Sequence, residues 1–150
     1  MATADAGPAA QGLAALQALL AAENTAVYGY GLAGAQLSGD QLTTATQDWN
    51  LHRAARVTVS AMITQRGGTP QPAAAAYTPP FAVTSATRAR SLAALLEDGL
   101  VRAYLGLVAL DDPALRAFGA GEMQAAAIRA AYWQGGTTAF PGLPASALQR

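Results

Sequence analysis

The stretch LAALQALLAAENTAVYGYGLAG, residues 13–34, decides the fold. Positions spaced three and four apart share one face of an α-helix. On this stretch that face carries Leu13, Leu16, Leu20, Glu23, Val27, Tyr30 and Gly34. Glu23 therefore occupies a position where an apolar residue is expected. A carboxylate inside a helix bundle is costly unless a cation, a metal ion or a proton neutralises it, so the partner of Glu23 is the central question about function.

Length and composition limit the classes of protein that this chain can represent. A chain of 150 residues suits a single domain with a sizeable core. Nine acidic residues balance nine basic ones, which argues against a nucleic-acid-binding surface. The absence of cysteine excludes disulfides, thiolate metal sites and cysteine nucleophiles. No signal peptide and no apolar run long enough to span a bilayer is visible, so we expect a soluble protein that is cytoplasmic by default.

The hydrophobic periodicity predicts an all-α protein with four helices. We expect them over about residues 11–37, 41–66, 84–110 and 113–133. A Pro-rich segment, residues 69–83, separates the second helix from the third and is long enough to return the chain to the other end of a bundle. The predicted organisation is a disordered segment over residues 1–10, a helical bundle over 11–134, and a tail over 135–150 that packs on the bundle.

Each of the other three helices also carries polar residues on or beside its inward face. The predicted stripe of the second helix is Leu42, Ala45, Trp49, His52, Arg56, Val59 and Ile63. Glu97 lies at the edge of the stripe of the third helix, and the fourth helix carries Leu115, Phe118, Glu122, Ala125, Arg129 and Tyr132 on one face. With a rise of ~1.5 Å per residue, His52 and Glu97 share a level, and Glu23 and Glu122 fall within about 5 and 6 Å of it. The sequence thus predicts one buried polar layer.

Three stretches around this layer resemble a known family. They are residues 22–31 (AENTAVYGYG), 52–56 (HRAAR) and 95–100 (LLEDGL), with the Pro-rich segment between the last two. Together they resemble a small ferritin-like family of unknown function found in high-GC bacteria, over about residues 13–143. The resemblance implies a ferritin-like four-helix bundle with one long Pro-rich crossover between helices two and three, and it implies no established activity.

The wider ferritin-like pattern is only partly met by this chain. Glu23 and Glu97 match the single carboxylates of helices one and three. The second helix has His52, but Trp49 stands where the pattern has Glu. The fourth helix has Glu122, but Ala125 stands where the pattern has His. Three carboxylates and one imidazole are too few for two metal ions, so we expect a degenerate di-iron site without activity and no cofactor.

Two interpretations of the polar layer remain open. In the first it is a buried ion network without metal, because Arg56 lies one turn from His52 and Arg129 two turns from Glu122. This network comprises Glu23, His52, Arg56, Glu97, Glu122 and Arg129, and loss of Arg56 from it should cost ~3–5 kcal/mol. In the second, a single iron, manganese or zinc ion is held by Glu23, His52, Glu97 and Glu122.

These interpretations correspond to two classes of function. The first is a non-enzymatic bundle that forms a homodimer or binds a partner, since small residues on helix faces favour helix association. The second is a metalloprotein with an oxidase or metal-holding role. The remaining candidates are weaker, because the aromatic residues are at core-packing positions. No serine near His52 has a nucleophile-elbow context.

Overall fold

A computed structural model describes residues 7–137 of the chain. The protein is all-α, with helices α1 (Pro8–Gly34), α2 (Gly39–Gln65), α3 (Ala86–Val108) and α4 (Pro113–Gln134), and no β-strand occurs in residues 7–137. The predicted four-helix fold class is therefore confirmed. Helix α1 begins three residues before its expected start, so residues 8–10 are helical and not part of a disordered segment. The other parts of the predicted terminal segments, residues 1–6 and 138–150, lie outside the described residues.

The helix ends follow from local chemistry that the sequence contains. The Ser85 side chain accepts a hydrogen bond from the Arg88 backbone N–H and caps α3. Asp112 accepts from two backbone N–H groups at the start of α4, where Pro113 is the first helical residue. Gly135 ends α4 in the left-handed conformation, with φ of 76°, which glycine adopts without steric cost.

The helices pack as a bundle in which α1 contacts α2 and α3, and α3 contacts α4. Helices α1 and α3 are antiparallel, because Tyr30 contacts Glu97 whereas Glu23, earlier in α1, contacts Tyr104, later in α3. Helices α3 and α4 approach closely at Gly119, where a Cβ atom would lie 2.9 Å from the carbonyl oxygen of Tyr104. A larger residue at this position would push the two helices apart.

The connection between α2 and α3, residues 66–85, follows α1. The Gln17 side chain donates a 2.7 Å hydrogen bond to the carbonyl oxygen of Thr69 and accepts one of 3.1 Å from the Gln71 backbone N–H. Further along the connection, the ring centroid of Tyr77 lies 5.5 Å from that of Tyr28. Tyr28 follows Gln17 by eleven residues in α1, so the connection runs along this helix. Extended segments rich in proline hold such a path with little loss of entropy.

The buried face of α4 is shifted by one residue from the predicted face. The buried face of α2 follows the predicted one but includes Asp48, which the prediction does not contain. Helix α2 buries Ala45, Asp48, His52, Val59 and Ile63, so Asp48 lies inside where Trp49 was expected. Helix α4 buries Leu115, Gly119, Ala126, Ala130 and Trp133. This face consists largely of small residues because α3 approaches it closely. Within residues 7–137, no helix has the length and hydrophobicity needed to cross a bilayer.

Candidate functional site

Three helices bring a histidine and two glutamates into direct contact inside the bundle. Nδ1 of His52 lies 2.8 Å from Oε2 of Glu23, and Nε2 of the same ring lies 2.9 Å from Oε1 of Glu97. All three residues are at most 1% exposed. The heights estimated from helix rise therefore correspond to real contacts among these three side chains.

Two tyrosine hydroxyls and one arginine also bind the carboxylates of Glu23 and Glu97. Tyr104 donates a 2.6 Å hydrogen bond to Oε1 of Glu23, and Tyr30 donates one of 2.7 Å to Oε1 of Glu97. Nε of Arg129, from α4, lies 3.0 Å from Oε2 of Glu97. Each of the four glutamate oxygens thus has a donor, and no buried side-chain nitrogen or oxygen in the described part of the chain lacks a hydrogen-bond partner.

A third carboxyl group, that of Asp48, extends the cluster. Its Oδ2 atom accepts a 3.0 Å hydrogen bond from the indole N–H of Trp133 and lies 3.3 Å from the Tyr30 hydroxyl oxygen. That hydroxyl has one proton and cannot serve both Asp48 and Glu97. Since the contact with Glu97 is shorter, we assign the proton to that bond, and the contact between Tyr30 and Asp48 is the weaker of the two.

Electrostatics favour a doubly protonated His52. Burial alone would lower the pKa of this histidine, but hydrogen bonds from its ring to Glu23 and Glu97, and the charges of those carboxylates, raise the pKa to about 9. Burial raises the pKa of Asp48, partly offset by the hydrogen bond from Trp133. With His52 charged, the carboxylates of Glu23 and Glu97 face two cations, His52 and Arg129.

A cavity of about 220 Å³ lies between α2 and α4, beside the cluster. Glu23, His52 and Tyr104 line it together with Glu122 and Arg129. Glu122 is half-buried, and its carboxylate has no hydrogen-bond or ion-pair partner in residues 7–137. Glu122 thus lies near the predicted layer without joining its hydrogen bonds.

Of the residues assigned to the ion network, Arg56 lies elsewhere. It lines a surface depression with Asn24, Ser60 and part of the Pro-rich connection, and it pairs with no carboxylate in the described chain. The expectation that Arg56 neutralises a buried acid is therefore corrected. The cation that does so from a neighbouring helix is Arg129, and the second cation is His52 itself.

The donor set does not have the arrangement that a metal ion requires. A histidine ligand must direct a nitrogen lone pair at the metal, whereas both ring nitrogens of His52 are directed at carboxylates. Among residues 7–137, no group of three or more acidic or histidine side chains is placed to hold an ion. The residues present therefore do not fit the di-iron group that the ferritin-like resemblance implies.

Four members of the cluster are not among the site residues that the sequence predicts. The sequence pattern assigns Tyr30, Tyr104 and Trp133 to core packing, and it does not single out Asp48. All four are buried. A buried tyrosine or tryptophan needs a hydrogen-bond partner for its polar atom. Three such residues on helices that pack around core acids therefore indicate hydrogen bonds between them and those acids.

The chain is similar to proteins for which no activity is described. Residues 15–145 match the family model described as "Domain of unknown function (DUF4439)". The crystal structure of a conserved hypothetical protein, rv2844, from Mycobacterium tuberculosis is similar to this fold, with a TM-score of 0.81 and 30% sequence identity. The similarity covers 87% of this chain and 98% of that one. Among curated proteins, none matches this chain. Because the family model spans most of its length, the chain belongs to the DUF4439 family.

Proposed function

We propose that this protein is a ferritin-like bundle without a working di-iron centre, whose polar layer is a structural ion network. The observation that carries this proposal is the position of His52 between Glu23 and Glu97, with N···O distances of 2.8 and 2.9 Å. Both ring nitrogens serve as donors there, so the imidazole acts as a buried cation. Glu23, His52 and Glu97 lie on the helices where the ferritin-like pattern carries ligands, which supports descent from a metal site.

The function that follows is association and not catalysis. Because every carboxylate oxygen of Glu23 and Glu97 has a donor, neither acid offers a substrate a free base. Within residues 7–137, Glu122 is the carboxylate beside them that has no such donor. Helix α2 instead exposes Leu51 and Val57, which are 54% and 71% exposed, on the outside of the bundle. Apolar side chains on a helix surface favour contact with another protein. We infer a homodimer or a complex with a partner protein, formed through the exposed surface of α2, where these two side chains lie about 120° apart around the helix axis.

Metal analysis tests the proposal. Protein purified without chelators and then incubated with Fe²⁺, Mn²⁺ or Zn²⁺ should retain well below one equivalent after desalting. His52→Gln should show the same background. One equivalent retained by the wild type and lost in His52→Gln would overturn the proposal.

The alternative is a metal-holding protein, and one observation favours it. Glu122 has no hydrogen-bond or ion-pair partner within residues 7–137, and it lines the same cavity as Glu23 and His52. A metal bound there would have to displace the hydrogen bonds of His52. Glu122→Gln separates the two functions, because this variant weakens metal retention only if Glu122 is a ligand.

A further inference from the structure

A second cavity, of about 290 Å³, lies between α1, α3 and the Pro-rich connection. Its walls include Ala22 and Leu32 of α1, Leu92 and Leu96 of α3, and Pro79 and Pro80 of the connection. None of the residues that line it is charged, and none belongs to the polar cluster. The ion network therefore does not account for this cavity.

Two of the four side-chain hydroxyls around this cavity, those of Thr25 and Tyr77, form hydrogen bonds within the protein, and the other two belong to Tyr28 and Thr78. The Thr25 hydroxyl donates a 2.9 Å hydrogen bond to the carbonyl oxygen of Ala21 in its own helix. The Tyr77 hydroxyl accepts one of 3.1 Å from the Ala74 backbone N–H. A charged ligand would lose its hydration here without gaining an ion pair. The lining thus favours an uncharged, apolar occupant.

The cavity has one tightly packed wall and one open wall. A Cβ atom at Gly29 would lie 2.5 Å from Cδ1 of Leu96, so α1 and this side chain are already in close contact. A Cβ atom at Gly99, also in the lining, would meet nothing within 4 Å. Leu95 lines the cavity and is 43% exposed, which places it at the entrance.

The volume indicates the size of the occupant. An apolar protein cavity of ~150 Å³ holds one benzene molecule, and this cavity has roughly twice that volume. We propose that it is a binding site for a small uncharged apolar molecule, with two aromatic rings or a hydrocarbon chain of similar bulk. The Pro-rich connection covers the bound molecule, and the rings of Tyr28 and Tyr77, 5.5 Å apart, contact it.

The probe for this site is 6-propionyl-2-(dimethylamino)naphthalene, an uncharged two-ring aromatic whose fluorescence rises and shifts to shorter wavelength in apolar surroundings. The wild type should bind one molecule per chain. Gly99→Phe fills the open wall and should weaken binding by about tenfold or more. Gly106→Phe is the matched control, because Gly106 lies in the same helix, has equally open space at its Cβ and does not line the cavity. Equal loss in both variants, or no binding to the wild type, would overturn the proposal.

A measurement on the wild type keeps the test independent of any folding defect in Gly99→Phe. Methyl NMR should show probe-dependent shifts at Leu32, Leu92 and Leu96. Shifts confined to Leu16 or Leu107, which are buried but outside this lining, would place the probe elsewhere and contradict the proposal. Probe affinity that falls as protein concentration rises would also contradict it, because a second copy of the chain would then be the occupant.

Discussion

Nε2 of His52 lies 2.9 Å from Oε1 of Glu97, and the glutamate is fully buried. Glu97 also accepts hydrogen bonds from Tyr30 and Arg129, so side chains from α1, α2 and α4 meet on one carboxylate of α3. The negative charge of Glu97 therefore links all four helices. A charge bound in this way stabilises the bundle only while its cations keep their protons, and the stability of the protein should depend on pH accordingly.

The free energy of unfolding should fall as pH rises from about 6.5 to about 9. The pKa of His52 is raised to about 9 in the folded protein. In the unfolded chain His52 loses its proton near pH 6.5, so between these values the folded state binds more protons than the unfolded state. The stabilisation that the charged His52 provides is fully present below pH 6.5. It falls by about 3 kcal/mol in total as the pH rises through 9. Urea unfolding at half-unit pH intervals measures it.

His52→Gln is the control for this pH dependence. Glutamine keeps hydrogen-bonding capacity but cannot take a proton, so the variant should be less stable than the wild type at pH 6. Its stability should change little between pH 6.5 and 9. A slope in this variant equal to that of the wild type would assign the pH dependence to another group.

Arg129→Ala should destabilise the protein strongly. The substitution leaves Oε2 of Glu97 inside the bundle without its cation, which costs about 3 kcal/mol. This loss is at the lower end of the range for buried ion pairs, because the Arg129 side chain is 17% exposed. Arg56→Ala is the matched control and should change the unfolding free energy by less than about 0.5 kcal/mol, because Arg56 pairs with no acid in the part of the chain that the structure describes. Thermal and urea unfolding compare the two. Equal losses would contradict this assignment of the cations.

Tyr104→Phe should cost about 1–3 kcal/mol, because it removes the donor from a buried carboxylate oxygen of Glu23. Tyr132→Phe removes the same atom from a half-exposed ring whose hydroxyl donates a 3.3 Å hydrogen bond to Thr44 at the protein surface. That control should stay within about 0.5 kcal/mol of the wild type. If urea denaturation finds the two variants alike, the Tyr104 hydroxyl does not serve the cluster.

Asp48→Asn should leave the stability at pH 7 nearly unchanged, within about 1 kcal/mol, or raise it slightly. Burial raises the pKa of Asp48, so a negative charge at this position is disfavoured, and an uncharged amide of the same shape avoids that cost. Glu97→Gln, by contrast, removes the anion that His52 and Arg129 share and should destabilise strongly. Calorimetry of both variants tests this difference. A large loss in Asp48→Asn would mean that the Asp48 carboxylate stabilises the cluster.

Four helices and the burial of Glu23 and His52 can be predicted from the sequence, because periodicity reports burial directly. Both residues stand on otherwise apolar stripes, and a polar residue on such a stripe needs a partner wherever the other helices lie. In α2 the structure buries four residues of the predicted stripe, Ala45, His52, Val59 and Ile63. It does not bury Trp49 or Arg56 to the same degree, and it buries Asp48, which the predicted stripe does not contain. The structure buries Asp48, because Tyr30 and Trp133 offer hydrogen-bond partners that only the folded chain brings together.

Helix α4 shows a second limit of sequence patterns. The sequence pattern predicts that the face with Phe118 and Tyr132 is buried, whereas the buried face contains Gly119, Ala126 and Ala130. Small residues are buried there because α3 lies against them, and this close approach is a property of the pair of helices. The shift moves Glu122 from the centre of the layer to the edge of a cavity.

The most direct test of the ion network is ¹⁵N NMR of the His52 ring. His52 is the only histidine in the chain, so tag-free protein labelled at histidine gives one pair of ring-nitrogen signals. If the imidazole is a buried cation between Glu23 and Glu97, both nitrogens should be protonated at pH 7, titrate together near pH 9, and remain unchanged when Fe²⁺, Mn²⁺, Zn²⁺ or a chelator is added. An unprotonated nitrogen at pH 7, or a signal that shifts with metal, would contradict the account.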